Sequence, residues 1–253
     1  MREKIIGLLE LEGNEKVWEI GPGLGAMTSH LLSTRVRLFL FEIDRMFIEY
    51  LEKAFGDRGD LKIIPGDVLK TWRAEYELTG PPDRVIGNLP YNSAAAIIAS
   101  FIEQGNLPPR MVYTVQKEVG ERMLARPGTK DYSAFTVLCS FACSIRDCGN
   151  VPAGNFYPSP HVMSKVVLLT PCGRYDFSLL PMVSSFTRAV FASRRKTIRN
   201  NLQRGGWWSG MEQDLLFNLL RQSGIEPGDR GENLSVDSIV SFVQKIRRHN
   251  DTV

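Results

Sequence analysis

The 253-residue chain lacks any apolar run long enough to span a membrane, and its N-terminus lacks a basic-then-apolar leader pattern, so a cytoplasmic protein is the default expectation. Histidine and cysteine are scarce, at three and four residues, and Cys139, Cys143, Cys148 and Cys172 show no paired zinc spacing. No metal site is expected. The first three cysteines fall in apolar sequence, which suits reduced core thiols better than ligands. Internal repeats, low-complexity tracts and heptad seams are also missing, which sets aside solenoids, disordered linkers and coiled coils. An excess of one charge sign is missing too: a formal charge of +3 is too small to argue for a nucleic-acid partner by itself.

What is present is an alternation of short strand-like and helical runs, the pattern of an α/β fold with a mainly parallel sheet. It continues to Val166-Val167-Leu168-Leu169, after which Pro171-Cys172-Gly173 breaks it and only helical periodicity follows. Two domains are expected, an α/β unit over residues 1–172 and a small helical unit over 173–253. The expected monomer rests on the lack of an evident apolar interface.

Three acids and a glycine loop mark the ends of successive strands. Val17-Trp18-Glu19-Ile20 reads as a strand, and Gly21-Pro22-Gly23-Leu24-Gly25 then turns into a helix starting at Ala26. Glycines there let backbone approach a ligand closely. The loop alone is ambiguous, because Gly21-x-Gly23-x-x-Ala26 also meets the relaxed dinucleotide fingerprint, with Glu42 about where a ribose-binding acid belongs. Asp67 separates the readings better. Closing the run Ile63-Ile64-Pro65-Gly66-Asp67, it is placed to accept from the adenine amine of S-adenosylmethionine, with Ile43 and Val68 sandwiching the ring. Glu19 and Asp67 are each also compatible with plain strand-end acids.

Asn88-Leu89-Pro90-Tyr91 names a chemistry. It follows the apolar run Arg84-Val85-Ile86-Gly87, at the strand end where parallel sheets bind ligands. An exocyclic base amine is a poor nucleophile, since its lone pair is delocalised into the ring. The Asn88 side-chain carbonyl and the Leu89 main-chain carbonyl would accept its two hydrogens and turn the nitrogen toward tetrahedral form. Pro90 biases Leu89 to extended geometry, and Tyr91 would stack the base, worth about 1–3 kcal/mol. As an isolated tetrapeptide the same residues suit an ordinary strand-to-helix turn.

With these motifs in sheet order, the chain resembles the KsgA-type ribosomal RNA adenine dimethyltransferases from about residue 4 to about residue 248. The resemblance also covers Val115–Arg122, Phe156-Tyr157-Pro158-Ser159-Pro160, Phe191–Leu202 and Glu232-Asn233-Leu234-Ser235-Val236. The last two segments are similar to small-subunit enzymes rather than to the antibiotic-resistance methylases of large-subunit RNA. The resemblance implies a Rossmann-like class I methyltransferase sheet, seven-stranded and mostly parallel, with a small C-terminal helical domain. It implies S-adenosylmethionine as cofactor, held by Glu19, Gly21, Gly23, Glu42, Ile43, Asp67, Val68 and Asn88. Asn88, Leu89, Pro90, Tyr91 and Phe156 would then form the target site. Phe156 also suits that role by position, in a proline-stiffened loop able to close on a base opposite Tyr91.

The chain departs from the family pattern twice. A Gly-Gln-Asn-Phe-Leu-like segment that closes over the donor in the family has no counterpart ahead of Met1-Arg2-Glu3-Lys4, so weaker donor affinity is expected. At His161-Val162-Met163-Ser164-Lys165 the family usually has Lys, Val, Asp, Ser and a small residue.

Arg188, Arg194, Arg195, Lys196, Arg199 and Arg204 stand between Thr187 and Arg204 with no acid among them. Read as one helix with Phe191, Ile198 and Leu202 on its apolar side, they suit RNA phosphate, with Arg194, Arg195, Lys196 and Arg199 as the contacts. Pairing of some with acids such as Glu232 is the alternative. The activity implied is dimethylation of two adjacent adenosines near the 3′ end of 16S RNA, within a pre-30S particle. The rival is an RNA- or DNA-binding assembly or transcription factor on the same scaffold with no need of turnover. An NAD-dependent oxidoreductase is a weaker third, for want of a substrate domain with a proton donor.

Overall fold

The computed structural model describes residues 1–56, 58–105, 107–155, 162–205, 207 and 211–250. Strands β1 (Lys16–Ile20), β2 (Arg37–Glu42), β3 (Leu61–Pro65), β4 (Arg84–Asn88), β5 (Arg110–Gln116), β6 (Cys143–Val151) and β7 (Ser164–Pro171) form one sheet. Its order is β3-β2-β1-β4-β5-β7-β6. β1 to β5 pair in parallel, and β7 runs antiparallel to β5 with Gln116 opposite Ser164. The helices are α1 (Arg2–Gly7), α2 (Thr28–Leu32), α3 (Arg45–Phe55), α4 (Val68–Thr79), α5 (Ala94–Glu103), α6 (Lys117–Leu124) and α7 (Ala134–Ala142). They continue with α8 (Leu180–Phe191), α9 (Ile198–Gly205), α10 (Gln213–Arg221) and α11 (Val236–Asn250).

The chain divides into two compact units, Met1–Gly120 with Ser144–Pro171, and Glu121–Cys143 with Cys172–Val253. A single cut near Cys172 is therefore replaced by three crossings. Residues 121–143, read from sequence as part of the α/β unit, belong with the helical one, because α7 packs against α8 and α11.

In the first unit the inner strands β1, β4, β5 and β7 are buried on both faces, and alternate residues feed separate cores. Val17, Leu38, Leu40, Ile86, Val112 and Leu168 pack with Ile5, Ile6 and Leu9. On the other side Trp18 meets Phe41 at 4.9 Å, and Phe101 stacks on Trp72 at 4.8 Å. Lys16 is buried at the start of β1, where its ammonium caps the Thr79 and Gly80 carbonyls at the end of α4. Lys165 is buried too. Its charge goes to Asp147 at 2.6 Å and its alkyl stem fills the space over Gly120, where a Cβ would sit 2.6 Å from it. It supplies no surface charge in place of the family lysine.

The helical unit is built on aromatics. Phe186 contacts Phe242 at 4.6 Å and Trp207 at 5.2 Å, while Phe141 stacks on Tyr175 at 5.3 Å. Tyr132 is buried and donates to the Leu234 carbonyl at 2.7 Å. The four cysteines are free thiols, but they are not all core residues: Cys139 and Cys143 are buried, Cys148 is half-buried and Cys172 is exposed. Burial pushes the Cys143 thiol up to about 12.

The expected single basic helix is two helices. α8 stops at Phe191, because Asn201 donates to the Val190 and Ser193 carbonyls at 2.7 and 3.0 Å and so caps its end. α9 starts only at Ile198, with the Ile198 and Arg199 amides taken by the Asp229 and Pro227 carbonyls. Arg194, Arg195 and Lys196 stand in the turn between them.

Candidate active site

β1, β2 and β4 end side by side, and the loops that leave them make the site. Glu19 is fully buried, and one of its oxygens accepts from Thr28 at 2.8 Å while the other, Oε1, has no hydrogen-bond partner. Burial, with the Glu42 carboxylate adding to it against the Thr28 bond, lifts the Glu19 carboxyl to about 7. Its charge is set by the surroundings rather than by water.

Glu42, at the end of β2, organises the loops around it. Oε1 accepts from the Ile43 and Asp44 amides at 2.9 and 3.0 Å, and Oε2 accepts from the Gly23 amide at 3.0 Å. One carboxylate thus ties the glycine loop to the start of α3. Gly21 and Gly23 have φ of +68° and +55°, in the left-handed region. A Cβ on Gly21 would lie 2.9 Å from the Asn88 main-chain oxygen, whereas one on Gly23 would meet nothing within 4 Å. The expected helix start at Ala26 shifts to Thr28, since Gly25 and Ala26 remain in turn geometry.

Ile43 is 63% exposed, an open apolar face beside Glu42. Val68 is only 7% exposed, so it offers far less surface to a ring than Ile43 does. Asp67 caps α4 by accepting from the Leu69 amide at 3.0 Å. One oxygen therefore serves the fold.

The Asn88–Tyr91 turn is anchored to two neighbouring strands. The Leu89 amide donates to the Thr114 carbonyl of β5 at 3.0 Å, and the buried Leu89 side chain holds that point. The following turn takes the Pro90 carbonyl, which accepts from Ser93 and Ala94 at 3.1 and 2.9 Å. Helix α5 thus begins without the Leu89 carbonyl. Tyr91 is half-buried, with its hydroxyl 2.9 Å from Ser164 Oγ. Phe156 lies outside the described residues.

The model of the "Ribosomal RNA adenine dimethylase" family matches residues 1–247. The chain belongs to that family. A relative named ribosomal RNA small subunit methyltransferase A from Treponema denticola is 41% identical over 239 residues, 93% of this chain and 81% of its own. One of the same name from Borreliella burgdorferi strain ZS7 is 40% identical over 250 residues, 99% and 85% of the two chains. Among solved structures, a dimethyladenosine transferase from Plasmodium falciparum gives a TM-score of 0.81 at 23% identity, covering 98% of this chain and 96% of that one. The 23S rRNA methyltransferase ErmE gives 0.66 at 19%, covering 98% of both. These two support the class I methyltransferase fold.

For this family member two side chains of the basic segment have partners within the helical unit, although Arg194, Arg195, Lys196 and Arg199 are all exposed. Arg194 Nε donates to Glu232 at 2.5 Å, and Nη2 donates to the Thr129 carbonyl at 3.1 Å. Arg199 lies over the Phe217 ring at 4.7 Å. Sequence reasoning missed Thr28, Thr114 and Ser164, which hold the site residues from other strands and helices. Only Thr28, in the turn after the glycine loop, had a local signal.

Proposed function

We propose that the chain is an S-adenosylmethionine-dependent ribosomal RNA adenine N6-dimethyltransferase acting on two adjacent adenosines near the 3′ end of small-subunit RNA. The observation that carries it is the strand-end turn Asn88–Tyr91, with Leu89 bonded to Thr114 and its carbonyl left out of α5, abutting the Gly21 loop. Family membership and relatives of about 40% identity support the same reading. Without turnover, a binding factor would have no use for that turn.

The residues present suit the cofactor. An open Gly23, a buried unpaired Glu19 oxygen, Glu42 beside the loop and the exposed Ile43 face are the features that a charged adenosyl compound would use. Glu19, Gly21, Gly23, Glu42, Ile43, Asp67, Val68 and Asn88 would hold S-adenosylmethionine, which supplies an electrophilic methyl group when bound. Asn88 and the Leu89 carbonyl accept the two amine hydrogens and aim the nitrogen lone pair outward. Pro90 restricts Leu89 and Tyr91 stacks the base, and the family resemblance implies Phe156 as a second aromatic of the target site. Such positioning contributes about 7–11 kcal/mol to lowering a barrier. A second transfer requires that the monomethyl amine still fit between the same groups.

Arg195 and Lys196 would contact RNA phosphate in a pre-30S particle, with Arg194 and Arg199 holding their surroundings. Among the described residues no helix is long and apolar enough to cross a membrane. A cytoplasmic monomer acting on ribosome precursors is part of the proposal. The test is transfer of labelled methyl groups to small subunits from cells lacking this modification, compared with naked RNA. The expected result is four methyl groups per particle, with Asn88→Ala inactive yet still binding particles. Turnover by Asn88→Ala would overturn the mechanism.

A further inference from the structure

Tyr91 carries a hydroxyl that stacking does not need, and the fold has provided it with a partner. Because β7 runs antiparallel to β5, its first residue lies at the same end of the sheet as the last residues of β4 and β5. That residue is Ser164, opposite Gln116 and fully buried, with its Oγ 2.9 Å from the Tyr91 hydroxyl. The backbone beside it is fixed as well. Met163 accepts from the Lys117 amide at 3.0 Å, and Lys165 is clamped between Gly120 and Asp147.

We propose that Ser164 is a positioning residue for methyl transfer, latching the Tyr91 ring so that the platform for the target base is set before RNA arrives. This rests on the reading of Tyr91 as that platform. A tyrosine at a turn otherwise samples several staggered χ1 wells, only some of which present its face to a base. A hydrogen bond to a rigid, buried hydroxyl removes that freedom, so the ordering cost falls on folding rather than on catalysis. The motif is then gripped by the next two strands of the sheet, Leu89 by Thr114 on β5 and Tyr91 by Ser164 on β7.

The test uses the full chain and small-subunit particles. Ser164→Ala should lower kcat about three- to tenfold, the rate equivalent of one ordinary hydrogen bond, with KM for particles changed less than about twofold. Tyr91→Phe should match it, and the double variant should be no slower than either alone. Ser164→Thr, which keeps a hydroxyl, should recover most of the rate. Melting temperature and S-adenosylmethionine affinity identify any variant that merely misfolds, in which case the Tyr91→Phe and Ser164→Thr comparison decides. Wild-type turnover in Ser164→Ala, or additive losses in the double variant, would overturn the latch. Tyr91→Ala tests the platform separately: full activity there removes the base-stacking role itself, whereas a severe loss alongside an unaffected Ser164→Ala sinks only the latch.

Discussion

A methyl group on Gly21 would stand 2.9 Å from the main-chain oxygen of Asn88, so the donor loop and the methyl-acceptor turn touch across β1 and β4. Gly21→Ala should therefore reduce methyl transfer at least tenfold and weaken donor binding, through both the clash and a φ of +68°. Gly23→Ala is the control for folding within the same loop, since the added carbon meets no protein atom within 4 Å and costs only about 1 kcal/mol of backbone strain, although it would stand where the donor approaches. Denaturant unfolding of the ligand-free variants separates them. Equal effects of the two substitutions on folding would show that the Gly21–Asn88 approach is not critical.

Glu42 accepts from three amides in two loops, so its loss should be felt before any ligand is added. Glu42→Ala is expected to cost about 2–4 kcal/mol of stability and most of the donor affinity. Glu42→Gln keeps one acceptor oxygen and should fall between. Denaturant unfolding of the ligand-free protein measures the first effect. If Glu42→Ala unfolds like wild type, the carboxylate serves the ligand alone.

The Glu19 carboxyl, lifted to about 7 by burial, makes stability depend on pH in a stated direction. Between its ordinary value near 4.5 and about 7 the folded protein holds a proton that the unfolded chain has released. Its contribution is thus full below 4.5 and is lost as pH rises to 7. Glu19→Gln removes this slope, so its melting temperature relative to wild type should climb between pH 5 and 8, by on the order of 5 °C. Donor affinity of the wild type should fall as pH drops below 7, where the carboxylate is neutralised. A constant difference in melting temperature across that range would mean that Glu19 stays ionised when folded.

Arg194 and its two neighbours should separate cleanly. Arg194→Ala breaks the bonds to Glu232 and Thr129, so it should lower stability by about 1 kcal/mol, since both bonds are exposed to solvent, with little change in the salt dependence of RNA binding. Arg195→Ala with Lys196→Ala should leave stability within about 0.5 kcal/mol and reduce the salt slope by up to about two. Binding measured between 50 and 200 mM salt distinguishes the two outcomes. A reduced slope in Arg194→Ala would return that side chain to the RNA surface.

Sequence reasoning reached the sheet because β1, β2 and β4 are short apolar runs closed by glycine or an acid, and their alternate residues do face separate cores. It reached the acids for the same reason, since a strand end is a local property. It missed the break between α8 and α9, which depends on Asn201 reaching back to Val190 and on carbonyls of residues 227 and 229. It also missed Ser164, separated from Tyr91 by 73 residues and brought near only by the antiparallel turn of β7. Val68, beside Asp67 at the start of α4, is 7% exposed against 63% for Ile43, a difference that no local sequence pattern signals.

The three chain crossings between the units bear on how such proteins can be recombined. Helix α7 contributes Phe135, Val137, Leu138 and Phe141 to the buried interior, and its cover comes from α8 and α11 far along the chain. A chimera that swaps everything after Pro171 between relatives would mate one parent's α7 with the other's α8 and α11. Fragments ending at Pro171 would leave those side chains bare and prone to aggregate. Exchange of the helical unit must carry residues 121–143 with it, so the unit is inherited as two pieces or not at all.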